Sequence, residues 1–130
     1  MLSVILFFVF ISTAAGCSCT SRPPLDRDFK QTPIIFIGRV TTVNVNKQSE
    51  FSGIADYTMI VEEAFKGITS GSIIVVHSNT AGTNCGLAEI TVGARWQIWV
   101  YQDGWTDMCT RSTHNSDENR AELEKLAKSP

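Results

Sequence analysis

The sequence predicts a mainly β domain, a small antiparallel barrel with flanking helices. Three observations predict it: about five β-type segments follow one another, a helical segment lies near each end of them, and four cysteines are available to cross-link a small core. Successive strands with helices outside them are typical of a sheet that closes on itself. With 130 residues, the chain has the length of a single domain.

The N-terminal segment has the pattern of a secretory signal peptide. Residues 2–11 are almost entirely apolar, and this run is about half of the roughly 20 residues that span a bilayer. Ala14 and Gly16 supply the small side chains that signal peptidase requires before its cleavage site. We therefore predict that residues 1–16 are removed and that Cys17 is the mature N-terminus. The alternative is a buried N-terminal strand or helix.

The first elements of the mature domain, residues 17–130, are a short helix and a long strand. The stretch "PPLDRDFKQTP" has a proline start, an acidic first turn and Pro33 to end the helix. The stretch "IIFIGRVTTVNVN" is rich in β-branched residues and predicts a strand, in which Gly38 allows a bulge or a bend.

Two further strands follow. In "IADYTMIVEEAFKG", apolar residues recur at a period of two and predict one buried face. The stretch "SIIVVHS" predicts a short strand that is mostly buried. The residues of the predicted buried face are Tyr57, Met59, Val61 and Phe65.

The C-terminal third predicts two more strands and a helix. "ARWQIWVYQ" alternates in hydropathy, and Asp103-Gly104 is a hairpin turn signal that leads into a fifth strand, "WTDMCT". The tail "NSDENRAELEKLAKS" predicts a helix that begins with Asn115 and Glu118 as a capping-box-like pair.

Composition and charge exclude some classes of partner. The chain has 11 basic and 13 acidic residues, a net charge of −2. This balance gives no electrostatic reason to bind nucleic acid and no polybasic attraction to anionic membranes. Four cysteines in a small exported domain predict two disulfides, with three possible connectivities, and a secreted, extracellular location.

The spacing of the cysteines restricts their pairing. Cys17 and Cys19 are separated by one residue, so a bond between them would be severely strained. Each needs a distant partner, and only Cys85 and Cys109 are available. Either pairing closes loops of roughly 65 to 90 residues, which stabilises the fold by about 4 kcal/mol per bond.

The sequence leaves two other roles open for the cysteines. Four thiolates could bind zinc, but a C-x-C pair and two isolated cysteines do not have the spacing of structural zinc sites. In a bacterial lipoprotein Cys17 would carry a thioether-linked lipid, and "AAGC" partly resembles such a cleavage box. Lipidation would leave an odd number of thiols.

No catalytic constellation emerges from the sequence. His77 and His114 have no sequence neighbours that suggest a triad, and we interpret both as surface or cap residues. Asp103 and Asp107 flank a turn and are interpreted as solvated rather than as metal ligands. We expect a protein that is not an enzyme and has no cofactor of its own.

A series of short motifs resembles a known family. A signal peptide followed at once by Cys-x-Cys resembles the N-terminal, netrin-like domain of the tissue inhibitors of metalloproteinases. The resemblance continues in order through "FIGRV", "YTMIVEEAFKG", "TNCGL", "VGARWQIWVY", "DGW" and "MCTRS". It covers nearly the whole mature chain and is strongest to the short, single-domain members of that family.

The resemblance implies a fold and a set of cross-links. The fold is a five-stranded barrel of the OB type, in agreement with the strand count above. The implied disulfides are Cys17–Cys85 and Cys19–Cys109. The sequence has no third cysteine pair and no counterpart of the C-terminal domain of the vertebrate members. Compared with the family, its prolines lie further from the second cysteine, with Ser21 and Arg22 before Pro23.

The resemblance also implies a mode of action. In family inhibitors the mature N-terminal cysteine chelates the catalytic zinc of the protease through its α-amino nitrogen and carbonyl oxygen, and these atoms would belong to Cys17. A catalytic zinc keeps one open position for water, which such a group can displace. The amine must be neutral, and a reference α-amino pKa of about 7.7 to 8.0 allows this near neutral pH.

The implied inhibitory ridge contains eight residues. Ser18 would enter the specificity pocket, and the neighbouring loop would be tied to the N-terminus through its cysteine. The expected partner is a zinc metalloproteinase, and the expected oligomeric state is a monomer. The alternative is a non-inhibitory netrin-like interaction or envelope module that reaches a membrane only if Cys17 is lipidated. The ridge residues are Cys17, Ser18, Cys19, Thr20, Ser21, Thr83, Asn84 and Cys85.

Overall fold

A four-stranded antiparallel sheet forms the body of the molecule in the computed structural model, which describes residues 18–47, 49, 53–80, 86–87 and 90–129. The sheet has the strand order β3-β2-β1-β4 and curls into a half-barrel. The prediction of a mainly β, barrel-like fold is therefore confirmed. The strands are β1 (Ile34–Lys47), β2 (Gly53–Lys66), β3 (Ile73–Asn79) and β4 (Arg95–Val100).

The long central strand β1 bends at Gly38, where its register against β2 shifts. A Cβ atom at this position would lie 2.7 Å from Cε2 of Phe36 and 2.9 Å from the carbonyl oxygen of Ile60. Only glycine fits so close an approach, because these separations are shorter than carbon–carbon and carbon–oxygen van der Waals contacts. The irregularity predicted at Gly38 is found there, but its extra residue, Glu62, lies opposite on β2.

The curled sheet has a buried cluster on each face. The inner cluster contains Tyr57, Met59 and Val61, as the alternation in β2 predicts. Phe65 was predicted on the same face, but it packs in the outer cluster instead. The register shift between Ile37 and Gly38 places an extra β2 residue after Val61, and one extra residue moves all later side chains to the other face.

Two helices cover the outer cluster. Helix α1 (Leu25–Gln31) begins directly after Pro24 and ends before Pro33, which confirms the predicted helix. Helix α2 (Arg120–Lys128) contributes Leu123, which has no exposed surface. The outer cluster consists of Phe29, Ile35, Ile37, Phe65, Trp99 and Leu123.

The predicted start of the tail helix is wrong by several residues. Residues 116–119 form turns, and α2 begins only at Arg120. The reason is the buried side chain of Gln97, whose Nε2 donates to the carbonyl oxygens of Ser116 (3.1 Å) and Glu118 (2.8 Å). These bonds fix the segment in a non-helical course, because side chain to backbone bonds compete with helix formation.

The predicted fifth strand, "WTDMCT", is not a strand. Of its residues only Trp105 forms a β-bridge, with His77 of β3, and turns follow. The side chain of Asp107 accepts hydrogen bonds from the backbone nitrogens of Cys109 (2.8 Å) and Thr110 (3.1 Å). Because the Asp107 carboxylate accepts these hydrogen bonds, the two amides are not available for pairing with a neighbouring strand.

The turn before this segment was predicted correctly. Asp103 and Gly104 have φ values of 62° and 80°, in a short 3-10 turn that spans Gln102–Gly104. Positive φ at two successive residues is what an Asp-Gly hairpin turn requires. The turn brings Trp105 back to β3, where the backbone nitrogen of Thr106 donates to the carbonyl oxygen of His77 at 2.9 Å.

Candidate functional site

The candidate site is the exposed N-terminal segment, residues 18–22, together with the loop to which it is bonded. Cys19 forms a disulfide with Cys109, across a Cα–Cα distance of 5.3 Å and a sequence separation of 90 residues. This is one of the two pairs that the family resemblance implies. The bond fixes the start of the described chain to the loop that follows β4.

Pro23 and Pro24, which are displaced relative to the family pattern, lie immediately before helix α1. Pro24 lies at its N-cap position, with φ −52° and ψ 151°, and its carbonyl oxygen accepts a hydrogen bond from the nitrogen of Asp28 at 2.9 Å. A residue before proline is also restricted to extended backbone, so Pro23 enters the helix in one conformation. The prolines therefore stiffen the junction of the segment with α1, rather than the residues next to Cys19.

The loop that carries Cys109 is held by a cluster of hydroxyl groups. The side chain of Thr106 donates to the carbonyl oxygen of Trp99 at 2.9 Å, and its hydroxyl lies 3.1 Å from that of Thr110 and 2.9 Å from that of Ser112. The Ser112 hydroxyl in turn accepts from the nitrogen of Trp99 at 2.9 Å. Connected, satisfied networks of this kind rigidify a structure, so Cys109 is anchored to β4.

The aromatic-Lys-Gly motif at the end of β2 holds the C-terminal end of helix α1. Nζ of Lys66 donates to the carbonyl oxygens of Phe29 (2.6 Å) and Lys30 (2.9 Å), in the last turn of α1. A cation at a helix C-terminus satisfies free carbonyls and complements the helix dipole. Gly67 has a φ of 73°, and a Cβ there would collide with the carbonyl oxygen of Pro33.

Two charged residues that sequence reasoning did not single out join these parts. Nε of Arg111 lies 2.7 Å from Oδ2 of Asp28, and the side chains are 19% and 4% exposed. Asp28 is on α1 and Arg111 is two residues after Cys109. The signal available in the sequence is the "CTR" of "MCTRS", which belongs to the family resemblance and places Arg111 two residues after Cys109.

Tyr101 lies at the edge of the site and responds to its charges. Burial raises the pKa of its hydroxyl above the ordinary value of 10.0, and the negative charges of Asp28 and Asp107 raise it further. The positive charges of Arg22 and Arg111 act in the opposite direction. The side chain keeps 40% of its surface exposed, so Tyr101 is a surface reporter of the electrostatics around Asp28.

The predicted ridge residues divide into two groups. Ser18, Cys19, Thr20 and Ser21 are all exposed along one continuous segment. Cys17, Thr83, Asn84 and Cys85 lie outside the described residues, and so does the implied bond between Cys17 and Cys85. The inhibitory role of all eight residues therefore remains a prediction.

His77 has a carboxylate partner that sequence spacing did not reveal. Its Nδ1 lies 2.6 Å from Oδ1 of Asp56, on the neighbouring strand, and its ring contacts Trp105 with a centroid distance of 5.6 Å. Both residues of the pair are partly exposed. The contact links β2, β3 and the segment after the hairpin turn, which is a structural role.

Among the described residues, no group of three or more His, Cys, Asp or Glu side chains is arranged to hold a metal ion. Within the same part of the chain, no helix has the length and apolar character needed to cross a bilayer.

The sequence of this chain matches no protein-family model and has no significant match among curated proteins.

Proposed function

We propose that this protein is a secreted inhibitor of zinc metalloendopeptidases that acts through the amine and carbonyl of Cys17 as its mature N-terminus. The observation that carries the proposal is the Cys19–Cys109 disulfide, which holds an exposed N-terminal segment on a rigid loop. A protease cleft binds an extended chain, and residues 18–22 are exposed and therefore accessible to such a cleft. Binding costs less when such a segment is ordered beforehand.

The second cross-link belongs to the same proposal. Because Cys19 is bonded to Cys109, the sequence leaves Cys17 and Cys85 as the remaining pair. Their bond would carry Thr83 and Asn84 to the N-terminus and complete an eight-residue ridge. The curled four-stranded sheet is consistent with an OB-type, netrin-like barrel.

The chemistry at Cys17 follows from the free amine. The neutral amine nitrogen and the Cys17 carbonyl oxygen would replace the water on the protease zinc. Ser18 would then occupy the specificity pocket beside the zinc, and Thr20 and Ser21 would continue along the cleft. Protonation of the amine removes its lone pair, so inhibition is expected to weaken as pH falls below about 7.7 to 8.0.

The test is to block the amine. The exported protein, with Cys17 confirmed as its first residue by mass spectrometry, is compared with a form that carries one additional N-terminal alanine. Inhibition constants are measured against a panel of zinc endopeptidases. We expect the extension to weaken inhibition by about 100-fold or more, equal to about 2.7 kcal/mol, because the chelating nitrogen becomes an amide.

The matched control carries the same alanine at the C-terminus and should inhibit like the native protein. Equal inhibition by the N-terminally extended form would refute zinc chelation, and no inhibition by the native protein would refute the function. A diacylglyceryl mass on Cys17 would instead indicate the lipid-anchored envelope module, because acylation at that residue removes the chelator from solution.

A further inference from the structure

The N-terminal segment is tied to the loop after β4 at two points. The first is the bond from Cys19 to Cys109. The second is Arg111, whose Nη2 donates to the carbonyl oxygen of Pro23 at 2.5 Å. Pro23 lies four residues after Cys19, and Arg111 lies two residues after Cys109. The two segments are therefore joined twice, and both ends of the stretch between Cys19 and Pro23 are fixed.

The same guanidinium group is itself held by a buried carboxylate. Nε of Arg111 donates to Oδ2 of Asp28 at 2.7 Å, and the group also lies 6.0 Å from the ring of Trp99. The other oxygen of Asp28 accepts from the hydroxyl of Thr32 at 3.3 Å. A carboxylate that is only 4% exposed requires a fixed partner, since an unpaired buried charge is strongly unfavourable.

The residues between the two ties are the ones that a protease would meet. Thr20, Ser21 and Arg22 are exposed, while the Arg111 guanidinium beneath them is mostly buried. Arg111 reaches its two acceptors with two different nitrogens, Nε on Asp28 and Nη2 on Pro23, which the planar guanidinium holds at a fixed spacing. Lysine carries all three of its donors on one rotating nitrogen and cannot occupy both of these positions.

We propose that Asp28 and Arg111 are positioning residues that set the shape of the inhibitory segment. This inference rests on the proposed function for its consequence, but the geometry concerns the chain itself. The disulfide fixes where the segment starts, and the Asp28–Arg111 pair fixes where it ends at α1. Together they hold Thr20, Ser21 and Arg22 in one conformation before any protease is bound.

The test is Arg111→Lys, which keeps the charge and removes the planar guanidinium. Backbone order parameters of the amides of Thr20, Ser21 and Arg22 are measured by NMR relaxation, and inhibition is measured on the same samples. We expect lower order parameters at these amides and about tenfold weaker inhibition. Ordering one freed backbone residue on binding costs a factor of about five to thirty.

The matched control is Arg95→Lys, at the other end of β4, where Arg95 pairs with Glu62 at 3.3 Å. It should leave the segment's order parameters and inhibition unchanged, whatever it does to the melting temperature. Asp28→Asn is the second variant and should mobilise the same amides, because it weakens the hold on Arg111.

The outcomes separate this inference from the proposed function. If the native protein inhibits no protease, the order parameters still test the positioning role. Unchanged order parameters in both Arg111→Lys and Asp28→Asn would overturn it, and so would a loss of order spread evenly over the barrel, since that indicates general destabilisation.

Discussion

The two ends of the described chain are attached to the same half-barrel by different means. The N-terminal segment is held by a disulfide and by the buried Asp28–Arg111 pair. The C-terminal helix α2 is held by the apolar side chain of Leu123 and by a partly exposed ion pair between Arg120 and Glu63 of β2. Apolar contacts stabilise without fixing direction, whereas a covalent bond and a bidentate guanidinium define both position and orientation.

Under the proposed function, the difference identifies the N-terminal segment as the end that binds the protease. Helix α2 covers the outer cluster, and a buried apolar side chain such as Leu123 is enough to anchor it. The exposed residues of α2 do not have to hold a particular backbone conformation. An end that must fit a cleft needs its exposed backbone to be fixed without being covered. The N-terminal segment satisfies that requirement, since its anchors lie beside and beneath it, and Thr20, Ser21 and Arg22 remain exposed.

The largest expected effect comes from removing the covalent anchor. Cys19→Ser with Cys109→Ser should lower the free energy of unfolding by about 4 to 5 kcal/mol, because the bond closes a long loop in the unfolded chain; the two cysteines are 90 residues apart. Urea denaturation measures the change. Met108→Ser, an exposed neighbour in the same loop, is the control and should have little effect. Equal stability of the double variant and the native protein would contradict this account.

The next effect concerns the apolar anchor of the other end. Leu123→Ala should lower the free energy of unfolding by about 2 to 5 kcal/mol, since the side chain is fully buried and its removal leaves a cavity. Urea denaturation and helical circular dichroism measure it. The order parameters at Thr20 and Ser21 should not change in the folded protein. Leu126→Ala, which removes a half-buried side chain from the same helix, is the control and should cost less.

A mobilised N-terminal segment in Leu123→Ala would contradict the comparison, because it would mean that α2 also sets the course of that segment. A loss at Leu126 as large as that at Leu123 would instead place the anchor of α2 elsewhere on the helix.

The features that could be predicted from the sequence depend on local patterns, and those that could not depend on individual polar side chains. Local sequence signals predicted the curled sheet, helix α1 and the irregularity at Gly38, because alternating apolar residues, flanking prolines and the requirements of glycine are local properties. The fifth strand failed because Asp107 captures backbone amides, and the start of α2 failed because Gln97 captures carbonyls. Gln97 acts on backbone 19 and 21 residues away, which only the folded chain brings near. Asp107 acts on amides two and three residues later, so its turn is a local signal that competes with strand propensity.

The site shows the same limit more sharply. Cys19 and Cys109 were recognisable as partners from a resemblance, but the pairing of Asp28 with Arg111 joins residues 83 positions apart. Neither residue has an unusual sequence context: Asp28 is one of two acidic residues in the first turn of α1. Such a pair becomes visible only when the helix and the loop after β4 are placed side by side.

The smallest expected effect concerns the charge of Asp28 and the pKa of the neighbouring Tyr101. The pKa of Tyr101 is raised by burial and by the charges of Asp28 and Asp107. In Asp28→Asn one of these charges is removed while Arg111 keeps its own, so the pKa of Tyr101 should fall relative to the native protein. Phenolate absorbance during an alkaline titration measures it, and Tyr101→Phe identifies which transition belongs to this residue, since Tyr57 is buried.

The sign of the effect on stability follows from linkage. A phenol whose pKa is higher in the folded state contributes stability that is fully present below the unfolded value of about 10. That contribution is lost as pH rises through the folded pKa, because the unfolded chain releases the proton first. The native protein should therefore lose stability above pH 10, and Asp28→Asn should lose less of it over the same range. An unchanged Tyr101 titration in Asp28→Asn would show that the Asp28 carboxylate does not act on this surface, and the N-terminal segment would then be held without its charge.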